Sequence, residues 1–206
     1  GQRLAYFYPK ERLIQAAQRN YIRGYMNEFE AALYGANFRD PENGYAAYID
    51  VPSFIDHHIL VELTKNIDGY RLSTFMYKPR GGKLTMGPIW DYNLSLGNAN
   101  YLNGGNPTGW YYPQLNTNDY PWYTRLFQDA AGFRAQYNER WGQLRGEALT
   151  LDYLLGTVEE HTGVLGESQA RNFQRWNILG TYIWPNFYIA PNWDAEITWM
   201  SGWIED

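Results

Sequence analysis

Only one stretch of this chain alternates apolar and polar residues with a strand-like period. "YRLSTFMYKPRGGKLTMGPI", residues 70–89, reads as two strands, Tyr70–Lys78 and Lys83–Ile89, joined by the short turn "PRGG". The other periodic stretches carry a helical spacing. A lone hairpin cannot build a sheet-based core, so it must be packed against helices. The expected class is α+β, mainly α-helical, with one central hairpin.

The helices read as follows. After Pro9, Ile14, Ala17, Tyr21, Tyr25, Phe29 and Leu33 fall three or four residues apart, predicting a long amphipathic helix closed by Gly35. A second helix is predicted in "DVPSFIDHHILVELTKN", with Asp50 as its cap and Pro52 in its first turn. Helices are further expected over 121–131, 132–146, 150–165 and 167–177, with a short last one from Asp194 towards Glu205. Between the hairpin and the third helix, residues 94–119 are dominated by Asn and Gly. Loops of that length in compact domains are usually functional or mobile.

Composition excludes several function classes. A net charge of −5 argues against a nucleic-acid surface, which needs clustered cations. No apolar run is long enough to span a bilayer, and with no cysteine there is neither a disulfide nor a thiolate metal site. The 9 Trp, 19 Tyr and 9 Phe suit an aromatic core, or a face that stacks on sugars or proteins. The opening "GQRLAYFYPK" has no initiator Met and no signal peptide, and it reads as a cut inside a longer protein.

The chemistry suggested by the pattern lies at the hairpin's mouth. Asp68 precedes the first strand and Asp91 follows the second. Antiparallel pairing brings the two flanks of a hairpin together. Two carboxylates converging beside a flexible loop can hold a hard divalent cation and accept a proton from a nucleophile. Equally, Asp68 can make an Asx-turn and Asp91 a turn or cap.

The segment from "YIDVPSFIDHHILVELTKNIDGYRLSTFMYKPRGG" through "KLTMGPIWDYNLSLGNANY" resembles the signature of the spore coat protein CotH kinase family, atypical bacterial protein-kinase-like domains. The flanks "FYPKERL", "YIRGYMNEFEAALYG" and "RNFQRWNILGTYIWPNFY" resemble the subgroup found in large secreted multidomain proteins. The resemblance implies that residues 1–206 are the C-terminal lobe of a kinase-like domain, without the β-rich N-terminal lobe. It implies ATP and Mg²⁺ as cofactors and a protein substrate bearing the acceptor hydroxyl. It also implies other domains of the same polypeptide as partners, and a secreted or cell-surface bacterial location.

Carried over by position, Asp68 matches the catalytic aspartate and Asp91 the metal-binding one. Asn66 and Trp90 match the residues that accompany them. Two positions depart from many relatives: Ser73 stands where an Asn can bind a second metal, and Asn93 where a second acid follows the metal aspartate. Both changes reduce metal-binding capacity. Without the first lobe's phosphate-contacting groups, the chain alone is expected to transfer no phosphate.

Supporting candidates are Arg71, which can pair with a site carboxylate or contact phosphate, and Trp110 and Tyr111, which can stack on a substrate or pack over the hairpin. Glu62 reads as a loop support or, more readily, a capping or surface residue. Lys65 and Lys83 read as solvated or strand-edge charges. His57 and His58 are adjacent on a helix and so point in different directions, which does not suit a metal pair. A function of another class stays open: a non-catalytic binding or scaffold module of a secreted, carbohydrate-associated protein.

Overall fold

A computed structural model describes residues 4–115 and 121–206. Among the described residues there are six α-helices, α1 (Ala16–Tyr34), α2 (Val51–Thr64), α3 (Pro121–Leu126), α4 (Phe133–Gly146), α5 (Leu151–Arg175) and α6 (Trp193–Glu205), and one antiparallel hairpin, β1 (Met76–Tyr77) and β2 (Thr85–Met86). The fold is α+β and mainly helical. Among the described residues, no helix is long and apolar enough to cross a membrane.

α2 is the central element, packing on α4 and on β2. Its start is fixed as expected: Asp50 Oδ1 accepts the Ser53 amide at 3.0 Å, and Pro52 occupies the first turn, where its missing N–H costs nothing. The same end secures the hairpin. Leu84 donates to the Tyr48 carbonyl and accepts from the Asp50 amide, while the Met86 amide donates to Ser53 Oγ.

The core is aromatic. Phe29, Phe54, Tyr70, Tyr111, Trp122, Tyr123, Phe133 and Tyr137 are buried together with Leu33, Ile49, Ile59, Ile67 and Leu126. At its centre lies His58, fully buried, with the rings of Tyr70, Tyr112, Tyr123, Phe127 and Tyr137 within 5.5 Å of its own. His57, also buried, lies with Nδ1 3.3 Å from the Tyr123 hydroxyl. Among the described residues, no group of three or more His, Cys, Asp or Glu is placed to hold a metal.

Several element boundaries differ from the sequence reading. Residues 70–73 are turn and bend, not strand, because Arg71, Leu72 and Ser73 all donate to the Asp68 carbonyl and wind the chain there. The predicted helix 121–131 stops at Leu126, and the buried Asp129 instead serves the start of α4, accepting the Gly132 and Phe133 amides and the Tyr45 hydroxyl. The helices expected at 150–165 and 167–177 are one, α5: Gly163 and Gly166 lower helix propensity but leave the backbone ladder whole. α1 begins only at Ala16, because residues 7–13 form turns and Gln15 is extended before the helix starts.

Candidate active site

The site is built on the C-terminal end of α2. Lys65 adopts a left-handed conformation (φ 48°, ψ 47°), its amide donating to Glu62 O while the Asn66 amide reaches Val61 O. This is the Schellman closure of a helix, with a lysine where glycine is usual. It throws Asn66, Ile67 and Asp68 sharply off the helix end and back over its last turn. Gly69 makes the close return possible, as a Cβ there would lie 2.7 Å from a Val61 methyl.

Asn66 is fully buried and touches both halves of the mouth. Its Oδ1 accepts the Asp68 amide at 3.2 Å, and its Nδ2 donates to the Asp91 carbonyl at 3.5 Å. Ser73 makes a second bridge: its amide donates to Asp68 O, and its hydroxyl donates to Asp91 Oδ2 at 3.4 Å. The structure thus brings Asn66, Asp68, Ser73 and Asp91 together.

The two carboxylates have different surroundings. Asp68 is partly buried, its Oδ1 paired with Arg71 at 3.3 Å; among the described residues its Oδ2 accepts no hydrogen bond. Asp91 is exposed, sits in the left-handed region (φ 62°, ψ 59°) and forms no ion pair among the described residues. Non-glycine residues held there are uncommon and cluster at functional sites, although Asp tolerates the conformation better than most. Trp90 is 59% exposed, its ring edge-on to Phe75. Asn93 is exposed in the short 3₁₀ turn at 92–94, its carbonyl accepting from Asn98 Nδ2.

Behind the site, Glu62 supports the loop, the less ready of its two sequence readings, Tyr111 packs, and Lys65 departs from its reading. Glu62 is neither a cap nor a surface acid: it accepts from the Tyr111 amide at 2.6 Å, the Tyr112 amide at 2.9 Å and the Tyr70 hydroxyl at 2.8 Å. Burial raises its pKa above the ordinary value in spite of those three donors. Lys65 is not solvated. It is 1% exposed, and its ammonium donates to the carbonyls of Asn106 and Thr108; burial lowers its pKa and the nearby Glu62 charge opposes that.

Tyr111 is a core residue rather than a substrate-stacking ring. It is 1% exposed and donates its hydroxyl to Ile67 O at 2.6 Å, directly behind Asp68. Trp110 is half-exposed, against the rings of His58, Tyr112 and Tyr137. Lys83 is at the surface, donating to Ala46 O. The Asn/Gly loop is therefore fastened to α2 at Glu62 and Lys65, and these contacts support the Asp68 turn from beneath. The signal in the sequence was slight: Glu62 falls one helical turn before Asn66, and nothing marks Tyr111 and Tyr112 as its partners.

As a donor set, the mouth suits Mg²⁺ better than a fully caged ion. Mg²⁺ is commonly held by one or two carboxylates together with water and substrate phosphates. Asp91 presents an unpaired carboxylate for this, with the Ser73 hydroxyl beside it. No curated protein and no solved structure matches the chain. The family described as CotH kinase protein matches residues 3–206, essentially the whole chain, with the Asn66–Asp68 turn and the Trp90–Asp91 segment inside the match. By that match, the chain belongs to the CotH kinase family.

Proposed function

We propose that the complete protein carrying this domain transfers the terminal phosphoryl group of ATP to hydroxyl groups of proteins, and that residues 1–206 form the C-terminal lobe of its kinase-like unit. The observation that carries this reading is the pair of bridges made by Asn66 and Ser73, which hold a largely buried and an exposed aspartate at one mouth.

Asp68 orients the acceptor hydroxyl and takes its proton on Oδ2, while Arg71 fixes the other oxygen. Asp91 would hold Mg²⁺, aided by Ser73 and Asn93; when bound, the ion neutralises charge on the phosphate oxygens. Asn66 keeps the two aspartates in register. Arg71 is already engaged with Asp68, and Lys65 is engaged with loop carbonyls. In this proposal the cations that embrace a nucleotide are residues other than Arg71 and Lys65, and residues 1–206 alone should be inactive. Secretion or cell-surface display by a bacterium, alongside further domains, belongs to the same proposal.

The test is radiolabelled transfer from ATP by the complete gene product with Mg²⁺. Loss of at least 100-fold in Asp68→Ala, and in Asp91→Ala with loss of Mg²⁺-dependent ATP binding by calorimetry, is the expected result. Undiminished transfer in both variants overturns the assignment.

A further inference from the structure

Two segments meet beside the site and share an unusual chemistry. From Tyr92 to Asn118, and again from Trp176 to Trp193, the chain has no Asp, Glu, Lys, Arg or His, while Asn and aromatic residues recur throughout. The described parts of these segments are joined by the Asn100 amide, which donates to Pro185 O at 2.9 Å, and by Asn100 Nδ2, which donates to the Tyr182 hydroxyl at 2.7 Å. Tyr101 and Trp184 stack across the join, with centroids 5.9 Å apart and planes 11° apart.

Trp184 is nevertheless 70% exposed, so one ring face packs on Tyr101 and the other is open to solvent. Tyr182, Phe187 and Ile189 are about half-exposed alongside it. Phe187 lies so close to Gly105 that any side chain at Gly105 would displace it, and it stacks in turn on Trp199. Trp199 and Tyr188 line an open cleft of about 510 Å³, with Asp206 also in its lining.

From this face we infer a binding site for a neutral glycan. An aromatic face stacks on the C–H side of a pyranose, and amides and hydroxyls satisfy the sugar's own hydroxyl groups. The Tyr182 hydroxyl accepts from Asn100, which leaves its own proton to donate. The complete lack of charge over both segments favours a neutral glycan over the alternatives. A protein interface shares the aromatic enrichment but is also enriched in Arg, which both segments lack, and anionic membranes are bound through Lys and Arg. Because the Asn100 bonds and the Gly105 contact fix the rings in advance, little ordering is needed on binding.

This site goes beyond phosphoryl transfer and does not depend on it. The test is affinity electrophoresis of the full chain, without nucleotide, in gels containing soluble mixed-linkage β-glucan, glucomannan, arabinoxylan or dextran. Retardation by at least one polysaccharide is expected, weakened at least fivefold in Trp184→Ala and less in Trp184→Phe, which keeps a stacking ring. Tyr8→Ala, at a ring 91% exposed elsewhere, should migrate as the parent does. Circular dichroism of each variant separates loss of binding from loss of fold, and Tyr182→Phe, which removes only the hydroxyl, gives a second reading at the same site. No retardation in any gel, equal retardation of Trp184→Ala, or equal loss in Tyr8→Ala overturns the inference.

Discussion

The side chain of Asn66 donates to the carbonyl of Asp91 while accepting the amide of Asp68, so one buried residue sets the relation between the two acids. Removing it leaves the part-buried Asp68 amide and the Asp91 carbonyl without this partner, a loss of up to about 1–3 kcal/mol for a group cut off from water. Asn66→Ala should lower the urea midpoint accordingly. Asn66→Asp, close in size, turns the donor into a buried acceptor facing the Asp91 carbonyl and adds charge beside two carboxylates. Its destabilisation relative to the parent should be greater at pH 7 than at pH 4, as measured by urea unfolding at both; equal effects would remove the electrostatic part of this account.

The convergence of the two aspartates was legible because antiparallel pairing is a geometric rule, and even two paired residues in each strand suffice to apply it. The length of the strands was not legible. Tyr70 and Leu72 fit an alternating pattern, but the Asp68 carbonyl collects three amides and makes that segment a turn. Lys65 was misread for a related reason. A lysine before Asn looks solvated, yet the left-handed helix closure turns its ammonium onto the carbonyls of a loop some 40 positions away. Local pattern carries no information about such a partner. The continuity of α5 was hidden by its glycines, which weaken a helix without interrupting it.

Gly69 packs its Cα against Val61, and this sets how closely the Asp68 turn lies on α2. In Gly69→Ala the new methyl would meet Val61 Cγ2 at 2.7 Å and Cγ1 at 3.0 Å. Overpacking of this kind costs about 1–3 kcal/mol. Val61→Ala alone should also destabilise, by leaving a cavity. The two changes compensate in space, so the double variant should lose less than the sum of the single losses. A double-mutant cycle from urea unfolding measures the coupling, and strict additivity would show that the turn does not rest on Val61.

Glu62 gives the fold a defined pH response. Its folded-state pKa is raised above the ordinary 4.5 by burial, the largest cause, with the Tyr111, Tyr70 and Tyr112 hydrogen bonds opposing. A group with a raised folded pKa stabilises fully below its unfolded pKa and loses that contribution as pH rises through the folded value. The Glu62 contribution to stability should therefore fall from pH 4.5 upwards. Glu62→Gln should remove that slope, although its amide cannot serve all three donors and the variant is less stable overall. The amides of Tyr111 and Tyr112 should exchange faster with deuterium in the variant. An unchanged pH slope would mean that Glu62 is not the titrating group.

His57 acts in the opposite direction. Burial lowers its pKa from 6.5 to about 4, and the ring is 7% exposed beside Tyr123. A base with a lowered folded pKa contributes stability that is present above its unfolded pKa and lost as pH falls through the folded one. The window is pH 6.5 to about 4, and the total is on the order of 3 kcal/mol at 1.36 kcal/mol per unit. His58, held well below its ordinary value by burial and then by the neighbouring His57, adds to the same acid sensitivity. Where the His and Glu62 windows overlap, the terms oppose, and the two histidines should outweigh one carboxylate. Unfolding free energy measured by urea titration at pH 7 and at pH 4 should therefore fall with acid. In His57→Gln, which keeps a polar partner near Tyr123 but cannot titrate, the fall should be visibly smaller. A variant whose acid sensitivity matches the parent's would show that His57 titrates alike in the folded and unfolded states, contrary to its burial among the rings.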